Sequence, residues 1–130
     1  MKKNILLDVV VPAYNEKNTF TILVKKLLKL KIRNVRLKII IVESNSDDGT
    51  RDDALKFKNH KNIKLILQSK PNGKGNAVIE GFKHVTGDYV IIQDSDLEYD
   101  PSNFKVMLKP ILNQETNFVI GSRIKKGILR

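Results

Sequence analysis

Apolar runs alternate with segments of helical period along nearly the whole chain. Residues 5–11, 37–42, 63–67 and 89–93 are almost wholly apolar and rich in Val and Ile. Their length and polar flanks predict strands buried on both faces. Residues 19–30 read as a helix with Ile22, Leu23, Leu27, Leu28 and Leu30 on its inner side. Residues 50–58 read as a short helix with Thr50 as a candidate cap, and 76–85 as a third helix. Asp100 and Pro101 then suit the cap and first turn of a fourth helix through Val106, Met107 and Leu108, which Pro110 kinks or ends. Phe104 and Met107 read as core, and 118–120 as a short fifth strand. Strands separated by helices predict an α/β fold: a Rossmann-like, mostly parallel sheet flanked by helices, in a single domain over 1–130. Right-handed crossovers place every strand-to-helix loop on one edge of such a sheet. Open α/β sheets bind their ligands at that edge.

The loops so placed are polar. They are Pro12-Ala13-Tyr14-Asn15-Glu16, the run 43–50, the run 70–76, Asp94-Ser95-Asp96 with the residues after it, and Gly121-Ser122-Arg123. Asp94 and Asp96 follow a buried-type strand as two hard oxygen ligands one residue apart, suited to a divalent cation that also touches phosphate. A solvated turn is the plainer reading of the same pair. Tyr14 offers a face for a base or ribose, and Glu16 and Glu43 offer acceptors for base N–H groups or ribose hydroxyls. Gly73 and Gly75 permit close backbone approach, with Lys74 between them in reach of a phosphate or simply exposed in a turn. The loop is no Walker motif, since the spacing and the following Ser or Thr are missing. Arg123 presents a guanidinium fork that matches a pair of diphosphate oxygens. Pro12 and Asn15 either end a strand or contact a ligand, whereas Asp47, Asp48 and Gly49 read as a turn and helix start. His60 in a loop and His84 near a helix end suggest no metal site.

Together these loops resemble the nucleotide-sugar half of inverting family 2 glycosyltransferases with the GT-A fold, in particular the dolichol-phosphate mannosyltransferase and polyprenyl-phosphate sugar transferase group. The matching stretches are Val10 to Glu16, Ile40 to Glu43, Asp48-Gly49-Thr50, Gly73 to Ala77, Gly87 to Val90, Asp94 to Glu98 and Gly121-Ser122-Arg123. The resemblance implies a metal-dependent transfer of sugar from a GDP- or UDP-sugar donor to a lipid-phosphate or glycan acceptor. It implies donor binding by Pro12, Tyr14, Glu16, Val42, Glu43, Lys74, Asp94, Ser95 and Arg123, with Glu43 on the base. It implies Mg²⁺ or Mn²⁺ on Asp94 and Asp96, with Asp96 as the catalytic candidate by position. The family commonly carries Asp-Asp-Gly-Ser where this chain has Glu43-Ser44-Asn45-Ser46, which bears on base selectivity. The sequence ends seven residues after Arg123, so a shortened or split donor-binding module, completed by a partner chain or oligomer, is the alternative expectation.

Charge adds less. Lys and Arg outnumber Asp and Glu by 24 to 14, a formal charge of +10. The lysines are scattered, aromatics are scarce, and the loop edge is acidic, so a nucleic-acid partner is not expected. Peripheral association with an anionic membrane fits the charge, and a cytoplasmic location, at the membrane face, is the matching expectation. The chain has no cysteine, hence no disulfide framework or thiolate metal site. Asp8 and Pro12 interrupt the first apolar run, which therefore reads as a strand and not as an export signal.

Overall fold

The computed structural model describes residues 4–95 and residue 101. The expected helix after Asp100, the expected strand at 118–120, and Asp96, Glu98, Phe104, Met107 and Arg123 lie outside the described residues. Within them the order is β1 (Ile5–Ala13), α1 (Phe20–Lys29), β2 (Val35–Glu43), α2 (Thr50–Leu55), β3 (Ile63–Leu67), α3 (Lys74–Phe82) and β4 (Tyr89–Ile92). The four strands form one sheet in the order β3-β2-β1-β4, and every pairing is parallel. β1 runs in register with β2 from Ile5 opposite Val35 to Ala13 opposite Glu43, and with β4 from Leu7 opposite Tyr89 to Val10 opposite Ile92. The chain steps outward from β1 to β3 and then crosses back to place β4 on the other side of β1. The topological switch point therefore lies between β1 and β4.

Strand alternation divides the core into two layers. Ile5, Leu7, Val9, Val11, Ile39 and Ile41 face α1 and α2, packing with Phe20, Leu23, Val24, Leu27 and Ala54. Val10, Ile40 and Val42 face α3 and pack with Ala77. A Cβ on Gly81 would lie 2.6 Å from Val10 Cγ1, so α3 sits on the sheet at a distance only glycine permits. The buried face of α1 is Phe20, Leu23, Val24 and Leu27, the i, i+3, i+4, i+7 pattern of a helix laid on a sheet. Ile22, expected on the inner side, is 48% exposed, because at 100° per residue it falls on the side of the helix opposite that stripe. Leu28 and Leu30 pack at the margin of the core. Thr50 is the first helical residue rather than the cap, and Gly49 holds the cap position at φ 105°.

A buried carboxylate fixes the far end of the sheet. Asp8 in β1 accepts the backbone N–H groups of Thr86 (3.0 Å) and Gly87 (2.6 Å), and Lys38 lies 3.7 Å from its other oxygen. Leu6 N–H donates to Asp88 in turn (2.9 Å). These bonds anchor the turn that leads into β4 and so set where β4 delivers Asp94. No helix among the described residues is long and apolar enough to cross a membrane.

Candidate functional site

A cavity of about 370 Å³ opens at the carboxyl ends of the strands, over the switch point. Its walls come from four parts of the chain: Pro12 and Ala13 at the end of β1 with Tyr14 and Glu16 after it, Ser44 after β2, Pro71, Gly73 and Lys74 at the start of α3, and Asp94 and Ser95 after β4. The volume falls in the range of sites for small ligands. Pro12, Tyr14, Glu16, Lys74, Asp94 and Ser95 were expected to meet here, and the structure brings their side chains to one cavity. Asp96 and Arg123 lie outside the described residues.

The wall made by the loops after β1 and β2 is tied together residue by residue. Asn15 and Asn45 both adopt left-handed φ, 52° and 59°, which Asn tolerates better than other side-chain-bearing residues. Asn15 N–H donates to Ser46 Oγ (2.8 Å), and Asp47 N–H donates back to Asn15 Oδ1 (3.1 Å). Glu16 N–H donates to Thr50 Oγ1 (3.0 Å), and Lys17 N–H to Asp48 (3.2 Å). Asp48 accepts both the N–H (2.9 Å) and the hydroxyl (2.6 Å) of Thr50, so it does the capping expected of Thr50 itself. Burial acts to raise the Asp48 pKa, but the hydrogen bonds from Thr50 and from Lys17 N–H outweigh it and hold the carboxyl below its usual range.

Glu43 stands behind this wall and does not line the cavity. It is fully buried, and its two oxygens accept the N–H groups of Asn45 (2.9 Å) and Ser46 (2.8 Å) and the guanidinium of Arg51. Burial alone would raise its pKa. Hydrogen bonds from Ser46, Arg51 and Asn45 prevail and hold it below the ordinary carboxylate range. Arg51 also donates to the carbonyl of Gln68, which joins the β2 loop to the end of β3. Both Glu43 oxygens, expected to face a base, are engaged here by their own loop and by Arg51. Val42, also expected at the ligand, is fully buried under α3 by strand alternation.

Ser44 occupies the place in the cavity that Glu43 does not. Its hydroxyl donates to Gln68 Oε1 (2.7 Å), and Gln68 Nε2 donates to Asn76 Oδ1 (2.9 Å). Neither Ser44 nor Gln68 was expected, since nothing in their residue types singles them out. Ser95 fastens the other side: its hydroxyl donates to Pro12 O (3.1 Å) and its carbonyl accepts from Thr19. Lys74 pairs with Asp94 across the cavity.

A cation position at Asp94 fits what surrounds it. The Asp94 side chain is 13% exposed and already draws a cationic group, the Lys74 ammonium. Among the described residues no group of three or more His, Asp or Glu could hold a metal ion. A single carboxylate suits Mg²⁺ or Mn²⁺ where a substrate diphosphate and water supply the remaining oxygens.

A parallel α/β sheet with a cavity at its switch point, lined by an aromatic residue, carboxylates and a lysine, is an architecture shared with solved GT-A glycosyltransferases. The profile of glycosyl transferase family 2 matches residues 8–129, and the chain belongs to that family. It is 30% identical over 120 residues to a dolichol-phosphate mannosyltransferase of Pyrococcus furiosus, covering 92% of this chain and 34% of the relative. It is 29% identical over 125 residues to the dolichol-phosphate mannosyltransferase of Saccharomyces cerevisiae, covering 93% and 46%. The chain thus spans between a third and a half of these relatives. Among solved structures, the mannosyltransferase PcManGT from Pyrobaculum calidifontis, in complex with GDP-Man and Mn²⁺, superposes with a TM-score of 0.63 at 26% identity. That match covers 72% of this chain and 28% of the other. Glucosyl-3-phosphoglycerate synthase from Mycobacterium tuberculosis with UDP superposes equally, at 0.63 and 26%, over 83% of this chain and 40% of that one.

Proposed function

We propose that this chain is the donor-binding portion of a metal-dependent, inverting glycosyltransferase that takes a nucleoside diphosphate sugar and passes the sugar to a polyprenyl phosphate. The observation that carries this reading is the convergence of Tyr14, Ser44, Lys74 and Asp94 on one cavity at the switch point. Ser44 follows β2 and Asp94 follows β4, with β1 between them. Two strand spacings separate the ends of β2 and β4, roughly 10 Å, about the reach of a nucleoside diphosphate from base to terminal phosphate. The base then lies toward Tyr14 and Ser44, and the diphosphate toward Lys74 and Asp94.

In this arrangement Asp94 is the residue that holds Mg²⁺ or Mn²⁺, and Lys74 adds a second positive charge beside the phosphates. The bound cation would supply Lewis-acid neutralisation of the diphosphate as it leaves. Glu43 and Arg51 hold the base-side wall in shape without touching donor. Asp96 and Arg123 complete the proposal as second metal ligand and diphosphate contact. The relatives' names support a mannosyl donor and a dolichol-phosphate acceptor, and the GDP-Man and Mn²⁺ of the Pyrobaculum enzyme support the donor and cation classes.

The test is transfer itself. The purified chain is incubated with GDP-mannose or a UDP-sugar, Mn²⁺ and a short polyprenyl phosphate, and lipid-linked sugar is followed by mass spectrometry. Product that disappears in Asp94→Asn is expected. Donor binding without product would leave a nucleotide-sugar binding module in place of a transferase.

A further inference from the structure

We propose that Lys74 and the divalent cation compete for Asp94, so that Lys74 acts as an exchangeable counter-charge which passes from the carboxylate to the donor phosphates when the cation binds. The inference rests on the donor-site reading above and assigns Lys74 a positioning role within it. Lys74 is the first residue of α3, whereas Asp94 follows β4, and both line the same cavity. Their ion pair therefore spans the pocket from one wall to the other. An ammonium against a carboxylate oxygen occupies the approach a metal ion needs at about 2.1 Å. A metal ion on the same oxygen meets the ammonium as a like charge at close range, so the two compete for it.

The geometry favours departure of Lys74. Its side chain is 47% exposed and that of Asp94 13%. The lysine is thus the solvent-facing partner, and its ammonium can pass into water while Asp94 stays in the cavity wall. The ammonium is a point charge on a four-carbon stem and can pivot without displacing the helix. Gly73, at φ 90°, and Gly75 flank it, and a Cβ at either would meet nothing within 4 Å. Once off Asp94, the ammonium still faces the cavity where the diphosphate lies. The exchange couples the two ligands: phosphate draws Lys74 away from Asp94 and so strengthens cation binding, and by reciprocity the cation strengthens nucleotide binding.

Mn²⁺ alone is titrated into the wild-type chain, Lys74→Met, Lys74→Arg and Asp94→Asn, with free Mn²⁺ read by electron paramagnetic resonance. The titrations are then repeated with GDP and UDP present. Lys74→Met should bind Mn²⁺ alone about fivefold more tightly than wild type, and Lys74→Arg should return toward wild type. The factor by which GDP or UDP raises Mn²⁺ affinity should be smaller in Lys74→Met than in wild type. Combining Lys74→Met with Asp94→Asn should erase the gain. Unchanged or weaker Mn²⁺ binding in Lys74→Met, or a gain that persists without Asp94, would overturn the proposal. Tighter Mn²⁺ binding in Lys74→Met with no nucleoside diphosphate bound by any variant would uphold the competition and sink the donor reading instead.

Discussion

The two walls of the cavity are built on opposite plans. The wall from the loops after β1 and β2 is cross-braced: Asn15, Glu16 and Lys17 donate through their backbones to Ser46, Thr50 and Asp48, and Glu43 pins Asn45 and Ser46 from below. The facing wall, residues 69–76, is exposed at every position. Its ties to the rest of the site include Asn45 to Ser69 O (2.8 Å), Gln68 to Asn76 (2.9 Å) and Lys74 to Asp94. A base needs a wall whose donors and acceptors stay in place. A charged, two-phosphate group with its cation needs a wall that can give. The division of firm and yielding walls matches the proposed division between base and diphosphate.

The comparison breaks most severely at Glu43. Glu43→Ala takes the buried acceptor away from the Arg51 guanidinium and from two part-buried N–H groups, and should cost about 2 kcal/mol in denaturant unfolding. Nucleotide affinity should fall with it, since the base-side wall loses its support. Asp48→Ala removes the bonds that begin α2 and should cost about 1 kcal/mol by the same measurement. At the other extreme, Asn72→Ala in the yielding wall should change stability by less than about 0.5 kcal/mol. A large loss there would mean that the two walls are not different in kind.

Acid sharpens the same contrast. Glu43 and Asp48 both have folded-state pKa values below their ordinary ones. Each therefore stabilises the fold fully above the unfolded carboxylate value, and that stabilisation is lost as pH falls through the lower folded value. Unfolding midpoints followed from pH 6 downward should hold until about pH 4 and then drop. Glu43→Gln should start lower and fall less steeply, whereas a parallel fall would remove Glu43 from the explanation.

How far the sequence reveals this molecule follows the same lines. The four strands stand out because their apolar runs are near-continuous, and β3 is read at the boundaries observed. The loops that meet at the cavity follow from topology once the strands are placed. The face of α1 was misjudged at Ile22, although Phe20, Leu23, Val24 and Leu27 carry the helical spacing in plain view. The burial and partners of Glu43 could not be read from its type. A glutamate at the end of a strand in a polar loop looks solvated, and only the docking of α2 brings Arg51, eight residues on, against it. Ser44 escaped for the opposite reason: serine is common in such loops, and its place in the cavity follows from strand phase at the end of β2.

In the function proposed above, Asp94 and the cavity beside it form a cation-assisted donor site. Calorimetric titration of the purified chain with GDP-mannose and with a UDP-sugar, each with and without Mn²⁺ and each repeated in Asp94→Asn, tests it most directly. The account predicts saturable binding that needs Mn²⁺ and weakens by at least about tenfold in Asp94→Asn, the loss expected when one charged ligand contact is removed. Binding that is indifferent to Mn²⁺ and to Asp94, or no binding of either nucleotide sugar, would contradict it.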